Sequence, residues 1–159
     1  MLSSDHTILS SLLAALSDEE HPWLVTVTAT IGSSPRPVGS LVVFRPDGSQ
    51  VGSVSGGCVE EDLVERLRAG VFDGPRVHVS EYGVSAEDNE KWGLPCGGLL
   101  ELAIQQLDAK DSGWVTSAQQ AMLDRRTVIR SVDFATGVSQ LRSTDQFAAL
   151  EKDDNRLHH

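Results

Sequence analysis

The chain has only two cysteines, and both stand beside paired glycines. Cys58 follows two glycines in SVSGGCVEEDL, and Cys96 precedes two glycines in GLPCGG. A thiolate is a nucleophile and a soft metal ligand, and glycine lets another group approach the backbone closely. Cys58 is predicted at the first turn of a helix, where the helix dipole lowers a thiol pKa. The alternative is a pair of inert cysteines that fill small holes, with the glycines serving only the turns.

A second motif, GSSPRP, places Arg36 between two prolines and after two serines. A guanidinium on a stiffened loop suits a phosphate or another oxyanion. Taken by itself, the segment fits a rigid surface turn with a solvated arginine better.

Other site chemistries have weaker support in the sequence. The two cysteines are far apart and form no C-x-x-C pair, and His6, His21 and His78 show no zinc-ligand spacing. A cysteine hydrolase needs a histidine base close to its thiol in space. No histidine neighbours either thiol in the sequence, which gives this reading no support. SVSGGC also lacks the G-x-G-x-x-G spacing of a dinucleotide site.

The charge balance limits the classes of partner. The 159 residues include 13 Lys and Arg against 23 Asp and Glu, a net charge of -10. No basic cluster is present beyond the DRR at 124–126, which argues against nucleic acid and against an anionic membrane surface. No apolar run approaches the ~20 residues of a membrane span, and the N-terminal ILSSLLAAL lacks signal-peptide flanks. The sequence therefore predicts a cytoplasmic protein.

The elements that must position these motifs alternate between helix and strand. Apolar spacing predicts an amphipathic helix around residues 8–16, and alternation predicts a strand at Trp23–Thr30. We expect a hairpin around Pro46–Gly48, a helix from residue 58 to Gly70, and strands in RVHVSEY and LLELAIQQL. A helix near 112–125 and a final hairpin follow. The fold class is predicted as α+β, a single mixed domain of β-hairpins and sheet with packing helices.

Three segments, in the same order, resemble the N-terminal domain of the XdhC/CoxI family. They are ATIGSSPRPVGS, GSVSGGCVEEDL and YGVSAEDNEKWGLPCGG, and the resemblance runs from about Trp23 to Leu107. The family's proteins are accessory factors for molybdenum hydroxylases such as xanthine dehydrogenase. The resemblance implies a chaperone, not an enzyme. It binds the molybdopterin-type molybdenum cofactor, protects it during sulfuration and aids its insertion.

The resemblance also implies site residues and partners. The family's two motif cysteines fall on Cys58 and Cys96, which are the candidate molybdenum contacts, and soft thiolates suit that metal. The implied partners are an apo molybdenum hydroxylase and a cysteine desulfurase-type sulfurtransferase, and homodimer formation stays open. The predicted cofactor-binding residues are Ser33, Ser34, Arg36, Gly56, Gly57, Cys58, Cys96, Gly97 and Gly98.

Two points stay open at this level. Cys58 and Cys96 could instead form a redox or sulfur-carrying pair, which would need their sulfurs within bonding geometry. The chain is predicted to form one cofactor-binding domain over residues 1–145, with a linker or disordered tail at 146–159. The C-terminal Rossmann-type domain of longer family members is not expected within these residues.

Overall fold

The computed structural model describes residues 4–32, 36–55, 58–74, 76–83, 99–144, 151–152 and 156–158. These residues form helices and two antiparallel sheets, which confirms the predicted α+β class. In chain order the elements are α1 Ser4–Ser17, β1 Trp23–Ile31, β2 Leu41–Phe44, β3 Gln50–Gly52, α2 Cys58–Arg68, β4 His78–Tyr82, β5 Leu99–Gln106, a 3-10 turn Ala109–Asp111, α3 Ser112–Leu123, β6 Thr127–Asp133, β7 Ser139–Thr144, β8 Glu151–Lys152 and β9 Arg156–His158.

Local sequence signals account for several element ends. The β2–β3 hairpin turns at Arg45–Ser49, where the Gly48 N–H donates to the Arg45 carbonyl at 2.9 Å and the Asp47 carboxylate accepts from the Ser49 N–H at 2.8 Å. Gly48 has a φ of 88°, a value that glycine adopts without steric cost. Helix α2 ends at Arg68 and is followed by Gly70 with a φ of 78°, as its predicted stop requires.

The larger sheet has five strands in the order β3-β2-β1-β5-β4, and every neighbouring pair is antiparallel. Its central contact joins β1 to β5, which are separated by more than sixty residues of sequence. The register runs from Trp23 opposite Gln106 to Ile31 opposite Leu99, with an irregularity between Val27 and Ala29. This long-range pairing sets which loops are neighbours.

The five-stranded sheet is covered on both faces, because alternate residues of its strands point to opposite sides. On one face, Val25, Val42, Leu100 and Leu102 form a core cluster together with the α2 residues Val59, Leu63 and Leu67. On the other face, Leu24, Leu41 and Val43 pack with Ile8, Leu12 and Leu16 of α1 and with Val115 and Ala118 of α3. Burial of each such side chain contributes about 1.5–3 kcal/mol.

The smaller sheet has the strand order β7-β6-β9-β8. Strands β6 and β7 form the predicted second hairpin, with Val128 opposite Ser143 and Val132 opposite Ser139. Strand β9 pairs with β6, so two short stretches within residues 146–159 are β-structure. The division of the chain at residue 145 stays a prediction.

Candidate functional site

Two of the three sequence motifs border strands that meet at one end of the larger sheet. Because all neighbouring strands are antiparallel, β1, β3 and β4 run in one direction and end where β2 and β5 begin. Ile31 lies opposite Leu99, and Tyr82 lies opposite Leu100, the next residue of β5. Gly52, the last residue of β3, is level with Val42 and Val25, six positions before Ile31 along β1. The residues that border GSSPRP and GLPCGG therefore lie at one end of the sheet, whereas β3 ends short of it.

Helix α2 begins at Cys58, so the predicted position of this cysteine at a helix N-terminus is confirmed. The first turn also contains Glu60 and Glu61. Their carboxylates suit the positive end of the helix dipole.

The segment before Cys58 is held by the side chain of Glu60, the third residue of α2. Its Oε1 accepts from the Ser55 N–H at 2.8 Å, from the Ser55 hydroxyl at 2.7 Å and from the Val54 N–H at 3.3 Å. Glu60 is only 4% exposed, and Val54 is fully buried. A buried carboxylate with several charge-assisted bonds fixes the chain where it enters α2.

A second polar group joins α2 to the edge strand β4. The Tyr82 hydroxyl donates to Asp62 at 2.6 Å and lies 3.3 Å from an Arg66 nitrogen, which also donates to the Ser80 hydroxyl at 2.8 Å. Burial and the neighbouring Asp62 raise the pKa of Tyr82 to about 12. Asp62 lies one helical turn after Cys58, and Tyr82 lies two residues before position 84. The pair therefore fixes the start of α2 against the strand that leads toward Cys96.

The GSSPRP loop returns to the sheet at β1. The Gly39 N–H donates to the Val27 carbonyl at 2.8 Å, and the Val27 N–H donates to the Ser40 carbonyl at 2.9 Å. Gly39 has a φ of 94°, so this return requires a residue without a Cβ. Burial raises the pKa of Asp5 in α1, and the positive charge of Arg36 counteracts that rise. Arg36 thus lies within electrostatic reach of the first turn of α1.

Most of the predicted cofactor-binding residues lie outside the described part of the chain. The backbone of Cys58 and the whole of Arg36 are described. The strand register joins Ile31 to Leu99, the Tyr82–Asp62 contact joins α2 to β4, and the individual assignments stay predictions. The predicted residues outside the described ranges are Ser33, Ser34, Gly56, Gly57, Cys96, Gly97 and Gly98.

The described residues contain neither a cation-binding cluster nor a membrane-spanning helix. No group of three or more His, Cys, Asp or Glu side chains in those ranges is arranged to hold a metal ion. Within the same ranges, no helix combines the length and the apolar character that a bilayer crossing needs.

Comparison with known proteins identifies the sequence family. The model of the XdhC and CoxI family matches residues 15–83. This segment belongs to the XdhC and CoxI family. The match includes the GSSPRP and SGGC motifs, whereas Cys96 lies beyond it. The resemblance inferred from the motifs is therefore confirmed.

Three relatives show how far the similarity extends. The chain is 33% identical over 104 residues to a probable xanthine dehydrogenase subunit of Bacillus subtilis, covering 64% of this chain and 30% of the relative. It is 35% identical over 114 residues to the molybdenum cofactor insertion chaperone PaoD of Escherichia coli, covering 67% of this chain and 33% of that relative. A crystal structure of a xanthine dehydrogenase from Bacillus halodurans has a TM-score of 0.68 and 25% identity, covering 89% of this chain and 42% of that one.

The alignments with the two curated relatives span about a third of their length. The similarity therefore concerns one part of those proteins, and the structural match extends over most of this chain.

The sequence analysis did not predict the positioning roles of two side chains, Glu60 and Tyr82. Glu60 is the third residue of a helix, the position from which a glutamate commonly reaches back to backbone N–H groups, and this signal could have identified it. The Tyr82–Asp62 contact has no such local signal, since it depends on how α2 packs over β4.

Proposed function

We propose that this protein is a molybdenum cofactor-binding accessory factor. It binds the cofactor, protects it while its sulfido ligand is installed, and delivers it to an apo molybdenum hydroxylase such as xanthine dehydrogenase. The names of two relatives support this proposal, since one is a cofactor insertion chaperone and the other is a probable subunit of xanthine dehydrogenase. In this proposal the protein has no chemical step of its own, and its partners are the hydroxylase and a cysteine desulfurase-type sulfurtransferase.

The observation that supports a single site is the strand register. Ile31 opposite Leu99 and Tyr82 opposite Leu100 support a common site for the segments that lead to Arg36 and Cys96, and the Tyr82–Asp62 hydrogen bond supports adding the start of α2 to it. Motifs on different ends of the sheet would have excluded a common ligand.

The residue types in the three motifs fit the chemistry of the cofactor. Two thiolates are suitable ligands for a soft metal–dithiolene centre. Backbone N–H groups of the paired glycines, the start of α2 and the Arg36 guanidinium are suitable for its phosphate. We propose that Cys58 and Cys96 hold the metal end. The residues that bind the phosphate end in this proposal are Ser33, Ser34, Arg36, Gly56, Gly57, Gly97 and Gly98. The bound cofactor supplies the metal centre, and these residues orient it and limit its contact with water.

Cofactor retention by purified variants tests the proposal. The full chain is incubated anaerobically with molybdenum cofactor released from a denatured molybdoenzyme, and molybdenum per chain is measured after gel filtration. We expect Cys58→Ala to lower retention at least tenfold and Cys96→Ala to lower it less. Val138→Ala, a truncation of an exposed side chain in the distant β6–β7 turn, serves as the control and retains the cofactor.

Circular dichroism shows whether each variant is folded. Full retention by a folded Cys58→Ala/Cys96→Ala double variant would contradict the proposal. The sulfur-carrier alternative predicts a different result, in which the variants retain cofactor and the wild-type chain gains one sulfur atom by mass on Cys58 or Cys96 after reaction with the sulfurtransferase.

A further inference from the structure

A cavity lies on the face of the larger sheet opposite α2, between α1, α3 and the β6–β7 hairpin. Its volume is about 140 Å³. Its walls are mainly apolar, with Leu9, Leu24, Trp114 and Leu141 among the residues that form them. Two charged residues, Asp5 and Arg130, also line it. Because Leu9 and Leu24 belong to the core cluster on the α1 face, this cavity is separate from the sheet face that α2 covers.

Arg130 is the unusual member of the lining. It is only 4% exposed, and its guanidinium carbon lies 4.7 Å from the centre of the Trp114 ring. Its Nε and one Nη nitrogen have no acceptor among the described residues. A buried charge without hydrogen-bonded partners costs several kcal/mol, so this guanidinium is a strong site for an anion.

Asp111, the carboxylate that acts electrostatically on Arg130, already has other partners. Asp111 contributes a favourable charge to Arg130, but its Oδ1 accepts from the Trp114 indole N–H at 2.8 Å and its Oδ2 accepts from the Asp108 N–H at 3.0 Å. Asp111 thus holds the Trp114 ring against the guanidinium. The two unpaired nitrogens of Arg130 remain available to a molecule in the cavity.

The lining defines the chemistry of that molecule. A carboxylate oxygen can accept from a charged guanidinium N–H, and the leucine and tryptophan walls match an apolar body. Phosphate fits less well, because its further oxygens would face apolar walls without donors. A cavity of about 140 Å³ has room for a small organic molecule of about the size of benzene.

We propose that this cavity binds a small monocarboxylate with an apolar body, and that Arg130 holds the carboxylate of this ligand. None of the predicted cofactor-binding residues lines this cavity, so this proposal and the proposed function can each fail without the other.

The test compares isobutyrate with its neutral counterpart isobutyramide on the full chain, by amide-shift titration in NMR and by thermal unfolding. We expect isobutyrate to saturate and to raise the melting temperature, while isobutyramide does neither. Arg130→Met should weaken isobutyrate binding at least tenfold, and Arg130→Lys should weaken it less, because it keeps the charge without the fork. Arg126→Met is the matched control, since the Arg126 side chain is 54% exposed.

Several outcomes would overturn the proposal. They are equal binding of the acid and the amide, equal loss in Arg126→Met and Arg130→Met, and the absence of saturable binding to the folded wild-type chain. Leu141→Phe gives an independent check that keeps Arg130 in place, because the larger ring should fill the cavity and weaken isobutyrate binding. Unchanged binding in folded Leu141→Phe would place the ligand elsewhere.

Discussion

Glu60 and Arg130 are both buried charged side chains, 4% exposed each, but they lie on different sides of the protein in different surroundings. Glu60 lies on the α2 side and accepts three hydrogen bonds from Val54 and Ser55. Arg130 lies in the cavity beside α3, where two of its nitrogens have no acceptor among the described residues. A satisfied buried charge fixes a conformation, whereas an unsatisfied one favours a ligand. The α2 side is therefore built for rigidity at the motif end of the sheet.

The largest effect that would test this contrast is expected for Glu60→Ala. The substitution leaves the Val54 N–H and the Ser55 N–H without their acceptor in a buried setting, so we expect the free energy of unfolding to fall by about 3 kcal/mol. Urea denaturation followed by circular dichroism measures it. Glu61→Ala removes the neighbouring exposed carboxylate and is the control, with a change below about 0.5 kcal/mol. Equal losses of unfolding free energy in the two variants would show that the hydrogen bonds of Glu60 do not stabilise the fold.

An intermediate effect is expected at Tyr82, the only tyrosine in the chain. Tyr82→Phe removes the 2.6 Å hydrogen bond to Asp62, and we expect the free energy of unfolding to fall by about 1–1.5 kcal/mol at neutral pH. Because the folded pKa of about 12 exceeds the ordinary 10.0, the proton is held more tightly in the folded state. This contribution is complete below pH 10 and is lost as the pH rises toward 12.

Tyrosinate absorbance reports this titration without interference, since no other tyrosine is present. The midpoint should lie near 12 in the folded protein and near 10 in concentrated urea. A folded midpoint near 10 would mean that Tyr82 and Asp62 are not coupled. The wild-type chain should also lose stability between these pH values more steeply than Tyr82→Phe.

The smallest effect on stability is expected for Arg130→Met. Burial lowers the pKa of Arg130 to about 10, which shows that its charged form is disfavoured there. Removing the charge relieves the cost of burying it, but it also removes the contact with Trp114. Because the two effects oppose each other, we expect the free energy of unfolding to change by less than about 1 kcal/mol, in contrast to Glu60→Ala. Urea denaturation at neutral pH, with Arg126→Met as the reference, measures it. A loss as large as that of Glu60→Ala would show that Arg130 already has its partners within the fold.

Local sequence patterns determined the elements of this protein. The apolar spacing of Ile8, Leu12 and Leu16 predicted α1, and the turn around Pro46–Gly48 predicted the first hairpin. The glycines before Cys58 and Gly70 after α2 predicted the limits of that helix. Such signals are available because helix periodicity, turn geometry and capping depend on residues a few positions apart. The residue pattern of the three motifs was specific enough to indicate the family.

Tertiary structure alone decided how these elements combine. The pairing of β1 with β5 brings Ile31 to Leu99, and no local pattern in either strand specifies that partner. The same is true of Tyr82 against Asp62 and of Arg130 under Trp114, since each contact depends on the packing of a helix over a sheet. Side-chain type and spacing fix what a segment can form, whereas long-range burial and register fix which segments share a site.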